Sequence, residues 1–115
     1  PPRAPRLELK VKAGEPFIPD QAFVEDAFGN AKGGVRTPYV DVPTARWVGA
    51  QTGAFRCFFR GYKIELDAKR LGSLYPDHGD YVKKVRASAS QLERERWLTS
   101  ADAAEVVREA EARGR

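Results

Sequence analysis

The 115-residue chain contains no methionine, a single cysteine and a single histidine, and no apolar run long enough for a signal-peptide core or a membrane span. Each shortage excludes something. One cysteine, Cys57, cannot form an intrachain disulfide. A structural zinc site takes three or four cysteine or histidine ligands, and Cys57 with His78 falls short of that. Cys57 stands among Phe55, Phe58 and Phe59, which favours a buried structural thiol over a reactive one. The missing apolar run gives no membrane partner and a soluble chain as the expectation, with the cytoplasm slightly favoured and an upstream targeting signal left open. With no methionine, the chain is expected to be a processed product or a segment of something longer.

What is present is an ordinary globular balance, with 42% hydrophobic and 31% charged residues. The net charge of +4 invites a nucleic-acid partner, but 20 basic residues are interleaved with 16 acidic ones. A phosphate-tracking surface needs a stripe of one sign with aromatics for stacking. Arg56, Arg60 and Lys63 beside Phe58, Phe59 and Tyr62 come nearest to one and fall short of it, so no nucleic-acid partner is expected.

Along the chain, residues 1–6 read as a proline-rich linker, because proline holds itself and its predecessor extended. Leu7 to Lys12 alternates apolar and polar, the period of a half-buried strand. Gly29, Asn30, Gly33 and Gly34 tolerate positive φ, so a hairpin or tight loop is expected over Asp26–Gly34. Pro38 and Pro43 flank Tyr39–Val42, which reads as an edge strand or an extended segment. Ala45–Val48 and Arg56–Ile64 supply two further short strands. From Leu66 the texture becomes helical, with a short helix over Asp67–Leu71 stopped by Pro76. A second helix is placed at about 78–96, capped by Asp77 or Asp80, with Val82, Val85, Ala89 and Leu92 on one face. Thr99 or Ser100 caps the last, with Ala103, Val106, Val107 and Ala110 inward. The fold class is therefore α+β: short strands and long ordered loops in residues 7–65, then a short helix and two amphipathic helices in 66–115. Two apolar stripes and short strands make a thin core for a free-standing domain. The stripes are expected to pack on a body outside this chain.

A search for chemistry finds no complete set. Ser73, Ser88, Ser90 and Ser100 lack the flanking glycines of a nucleophile elbow. Gly29–Gly34 lacks the Lys-Ser or Lys-Thr ending of a phosphate loop. His78 is the only possible imidazole base and reads as a capping or surface histidine at a helix start. Asp20, Glu25, Asp26 and Asp41 show no calcium-loop spacing and read as turn-forming, solvated carboxylates. No catalytic, cofactor-binding or metal-ligating residue is assigned, and no cofactor is called for.

The run Asp26-Ala27-Phe28-Gly29-Asn30-Ala31-Lys32-Gly33-Gly34-Val35-Arg36-Thr37-Pro38-Tyr39-Val40-Asp41-Val42-Pro43 is more specific. It resembles the C-terminal region of a bacterial family described simply as "alpha/beta hydrolase domain" proteins. Leu71–Val82, with its Leu-Tyr-Pro at 74–76 and His78, looks like a further segment of that family, and so does Trp97–Ala103. Phe55–Asp67 echoes a third segment, although Arg60–Leu66 is more charged than the family's usual stretch. The resemblance implies an esterase-like serine hydrolase whose nucleophile, acid and histidine lie upstream of Pro1, in that chain order. Residues 7–115 would then be a non-catalytic extension that packs on the missing N-terminal hydrolase body. The alternative is a free-standing interaction module without enzymatic activity. The signature positions Gly29, Asn30, Gly33, Gly34, Arg36, Pro38, Asp41 and Pro43 are read as structural. Arg36, whose planar fork can hold several carbonyls or a carboxylate, is expected to tie the loop to the body.

Overall fold

A computed structural model describes residues 2–12, 14–16, 22–49 and 61–113. The expectations placed on Asp20, Cys57, Arg56, Arg60, Phe55, Phe58 and Phe59 lie outside the described residues. The fold is α+β, with one two-stranded antiparallel sheet and four helices among the described residues. The order is α1 (Pro38–Asp41), β1 (Ala45–Val48), β2 (Tyr62–Glu65), α2 (Ala68–Leu74), α3 (His78–Arg94) and α4 (Ser100–Ala112).

The helices start where local chemistry dictates. Asp67 accepts a hydrogen bond from the Arg70 N–H at 2.8 Å. Asp77 accepts one from the Asp80 N–H at 2.7 Å, and Thr99 one from the Asp102 N–H at 3.1 Å. Each side chain satisfies an N–H that has no carbonyl one turn earlier. Helix α3 ends two residues before the expected boundary. Arg96 takes a φ of 64°, and the N–H groups of Trp97 and Leu98 both return to the Leu92 carbonyl. That left-handed wrap closes the helix and turns the chain into α4.

Helices α3 and α4 form an antiparallel pair around a shared apolar seam. Val85, Ala89 and Leu92 are buried on one side, and Ala103, Val107 and Ala110 on the other. Val82 is only partly buried, and Tyr81 takes its place in the stripe. One cluster joins Val42, Tyr75, Tyr81, Val85 and Ala110, with Leu71, Leu74, Val82 and Val106 packed around it. A second joins Ala89, Ala103 and Val107 under Leu98. Tyr75 and Tyr81 meet edge to face with ring centroids 5.1 Å apart.

Two expectations are corrected. Tyr39–Val42 is not extended, because α1 occupies Pro38–Asp41. Pro38 sits at the first helical position, where its fixed φ suits the turn and its missing N–H has no partner to lose. Thr37 remains extended, as a residue before proline prefers, and its carbonyl accepts the Val40 and Asp41 N–H groups. The segment from Leu7 to Lys12 is not a regular strand. It makes isolated bridges, Leu7 to Gly33 and Leu9 to Phe23, and both leucines stay about half exposed, at 48% and 50%. The hairpin expected over Asp26–Gly34 forms, with Glu25 bridged to Ala31.

Candidate functional site

The signature run folds into a small polar knot beneath β1. It starts from Asp26, one of whose carboxylate oxygens accepts the backbone N–H groups of Phe28 (2.8 Å) and Asn30 (3.0 Å). Its other oxygen accepts from Arg36 at 2.7 Å. Asp26 is thus a turn former, as its residue type suggests, but a paired one and not a solvated one. Burial works to raise its carboxyl. The Arg36 guanidinium and the two backbone N–H groups outweigh burial and hold it below the usual carboxylate range.

Arg36 donates also to the Ala31 carbonyl at 2.7 Å and the Val40 carbonyl at 3.3 Å, and its Nε lies 3.8 Å from Asp41. One planar guanidinium therefore ties the hairpin to α1 within this chain. A lysine ammonium could not span those directions. Asn30 is the second node. Only 1% of it is exposed; its amide donates to the Ala45 carbonyl (3.0 Å) and its oxygen accepts the Trp47 N–H (2.7 Å). The side chain thus serves β1 as a neighbouring strand would.

The glycines answer to close approach. Gly29 has φ 80°, and a Cβ there would fall 2.6 Å from the Arg46 Nε, which donates to the Gly29 carbonyl. Gly33 has φ 81°, and a Cβ would fall 2.3 Å from the Arg6 carbonyl oxygen, a backbone atom that cannot swing aside. Gly34 lies against Leu7, Pro38 opens α1, and the Pro43 carbonyl accepts the Tyr75 hydroxyl at 2.8 Å. Seven of the eight signature positions thus make contacts within the hairpin, α1 and β1, or with the segment preceding the hairpin. Pro43 instead reaches the helical half through Tyr75. The buried hydroxyl of Tyr75 is pushed up, first by desolvation.

His78 stands at the first position of α3, but it does not cap α3. Its Nε2 donates to the Glu111 carbonyl in the last turn of α4 at 3.1 Å, and its Nδ1 is buried without a hydrogen-bond partner. None of Ser73, Ser88, Ser90 and Ser100 is hydrogen-bonded to it. Ser73 donates to the Arg70 carbonyl and Ser100 to Glu93. No group of three or more potential metal ligands occurs among the described residues. No described helix is long and apolar enough to cross a membrane.

Sequence reasoning missed a cavity of about 160 Å³ between α1 and the α3–α4 pair. Val42, Val85, Val106 and Ala110 give it apolar walls, and Tyr39, Tyr81, Glu109 and Arg113 lie on its polar side. Tyr39 donates its hydroxyl to Glu109 at 2.5 Å, and that hydrogen bond, with burial next, pushes the phenol up to about 12. Tyr39 and Glu109 are 70 positions apart, so no local pattern announces the pairing.

A family model described as alpha/beta hydrolase domain matches residues 1–108. The chain belongs to that family. No curated protein and no solved structure is similar enough to the chain to count as a match. The matched span of this alpha/beta hydrolase chain takes in the whole Asp26–Pro43 knot, α2, α3 and most of α4.

Proposed function

We propose that this chain is the C-terminal, non-catalytic portion of an esterase-like α/β hydrolase and packs on the hydrolase body, with residues 7–65 and 66–115 as its loop and helical halves. The observation that carries this reading is the state of His78 in a member of the hydrolase family. The only imidazole is engaged with the Glu111 carbonyl, and no described serine approaches it. Nucleophilic ester cleavage needs a serine and a base within hydrogen-bond reach. A second feature agrees with packing on a larger body. Leu7, Leu9, Val35, Tyr62 and Ile64 remain 38–50% exposed. Such apolar side chains are commonly covered in an assembly. The signature residues Gly29, Asn30, Gly33, Gly34, Arg36, Pro38, Asp41 and Pro43 then serve the shape of the extension, and no missing partner is needed to satisfy Arg36.

Hydrolysis of p-nitrophenyl acetate and butyrate by the isolated chain tests the reading. No turnover is expected, whereas turnover abolished by His78→Ala would make the chain an enzyme in its own right and sink the proposal. One observation favours a second reading, a free-standing interaction module. The α3–α4 pair has its own buried seam of Val85, Ala89, Leu92, Ala103 and Val107. A sharp cooperative melt of the isolated chain, without turnover, would favour that module.

A further inference from the structure

Asn30 stands in for a neighbouring strand on one side of the β1–β2 sheet, and among the described residues nothing does so on the other. The register pairs Ala45 with Glu65, Arg46 with Ile64, Trp47 with Lys63 and Val48 with Tyr62. The Leu66 N–H donates to the Thr44 carbonyl at 2.9 Å, so the hydrogen-bonded pairs fall at Thr44–Leu66, Arg46–Ile64 and Val48–Tyr62. The N–H and C=O groups of the intervening residues point away from the partner strand. On β1 these belong to Ala45 and Trp47, and Asn30 takes one from each. On β2 they belong to Lys63 and Glu65, and no described group bonds to them. The four residues of β2 are all exposed. An open row of such groups is a template for another extended strand.

The side chains select which strand fits. Alternation puts Tyr62, Ile64 and Leu66 on one face and Lys63 and Glu65 on the other. When β2 pairs antiparallel with its own copy, a two-fold axis through Ile64 sets Lys63 opposite the partner's Glu65, and Glu65 opposite the partner's Lys63. Axes through Lys63 or Glu65 would set like charges opposite each other, which destabilises a pairing. Lys63 and Glu65 already lie 2.8 Å apart within one chain, so the Ile64 axis makes a square of alternating charges. On the other face it brings the two Ile64 side chains into a close, non-hydrogen-bonded pair and sets Tyr62 opposite the partner's Leu66. Ile64 is 50% exposed and Tyr62 40%, so both have apolar surface to bury. Every outward N–H and C=O of Lys63 and Glu65 gains a partner in that register.

We infer that β2 is the contact of a two-fold symmetric homodimer, its edge pairing antiparallel with the same edge of a second copy of this chain about an axis through Ile64, so that one sheet runs across both copies. The inference does not rest on the reading of the chain as a hydrolase extension, and it assigns Tyr62 and Ile64 to the second copy.

Sedimentation equilibrium of the full chain, carried up to millimolar concentration, should show a reversible monomer–dimer equilibrium, weak because the contact is small. Amide exchange should show the Lys63 and Glu65 N–H groups protected only in the dimer, while the Ile64 N–H, paired with Arg46, is protected at every concentration. Lys63→Glu and Glu65→Lys each set like charges across the axis and should weaken association about tenfold. A mixture of the two variants restores opposite charges at each of these positions and should associate as tightly as the parent. Circular dichroism melts check that each variant is folded. The inference is overturned if the parent chain stays monomeric throughout, which would leave the edge to a strand of a hydrolase body. It is overturned equally if the Lys63 and Glu65 amides stay unprotected in the dimer, if a folded single variant dimerises as the parent does, or if the two folded variants fail to pair with each other.

Discussion

Between residues 22 and 48 the central buried side chain is an asparagine, and guanidinium and carboxylate groups make the ties. Between residues 68 and 112 the buried side chains are Tyr75, Tyr81, Val85, Ala89, Leu92, Ala103, Val107 and Ala110, and the ion pairs lie outside, as Lys84–Asp80 and Arg86–Glu111 do. The loop half is held by a few directional bonds and the helical half by many undirected contacts. Directional bonds fix one geometry and fail abruptly when a member is lost, because the surviving partners are left buried and unpaired. Apolar seams lose stability in proportion to the volume removed.

The contrast breaks most sharply at Asn30. Alanine there strands the Ala45 carbonyl and the Trp47 N–H, both of which lose a side-chain partner. A loss of about 3 kcal/mol is expected for the two together. Urea denaturation checks the magnitude. Amide exchange checks the location, since the Trp47 N–H should lose protection far more than the α3 amides. If both regions lose protection equally, the two halves unfold as one unit and the contrast has no thermodynamic meaning.

Leu92→Ala is the counterpart in the helical half, where it removes a side chain that is 6% exposed in the α3 stripe. About 2–3 kcal/mol is expected, graded by how far the seam collapses. Leu92→Met should recover most of it, because the seam reads volume. No comparable rescue is expected at Asn30, where Asp would keep the shape and still lose the donor to Ala45.

Arg36 and Asp26 give the loop half a pH dependence that the apolar seam cannot have. The Asp26 carboxyl is held below its ordinary value of about 3.9, so its folded pKa is depressed relative to the unfolded chain. The stabilisation is therefore fully present above the unfolded value and is lost as pH falls through the folded one. Stability measured from pH 6 down to pH 2 should drop below about pH 4, and Asp26→Asn should flatten that part of the curve. Arg36→Ala should lower stability by about 2 kcal/mol at pH 7 and flatten the same acid limb, since it removes the main partner of the carboxylate. An unchanged acid limb in both variants would place the titrating group elsewhere.

The same division governs what could be read from the sequence. Helices α3 and α4 were legible because apolar spacing of three and four and the cap candidates that include Asp77 and Thr99 are local signals, whereas α2, expected over Asp67–Leu71, runs over Ala68–Leu74 with Asp67 as its cap. Strand β1 falls on the expected residues, and the hairpin follows from its glycines. Helix α1 was not legible. Prolines at 38 and 43 read equally well as edge-strand markers and as a helix start, and only the packing of Val42 beside Tyr75 and Tyr81 selects the helix. The exposure of Leu7 and Leu9 was illegible for a related reason, because alternation states which residues share a face and not whether anything covers it. Arg36 was legible as a multi-carbonyl clamp, while its partners were not. It was expected to reach a separate body, and the contacts run to Asp26, Ala31 and Val40 of its own chain. The cavity at Tyr39, Tyr81 and Glu109 joins three elements far apart in sequence and had no local signal.

The smallest expected effect tests the joint between α3 and α4. Arg96 holds a φ of 64°, a region that places Cβ against the backbone and that glycine enters freely. The turn forms anyway because the Trp97 and Leu98 N–H groups both close on the Leu92 carbonyl and because Leu98 packs on the Ala89, Ala103 and Val107 cluster. The helical seam thus imposes strain on one residue, as packing elsewhere allows. Arg96→Gly should relieve it and raise stability by up to about 1 kcal/mol, less whatever glycine adds to the entropy of the unfolded chain. Arg96→Ala separates the two contributions, since it removes the long side chain while keeping Cβ and so should gain nothing. Equal gains from glycine and alanine would mean that the arginine side chain, and not its backbone conformation, carries the strain.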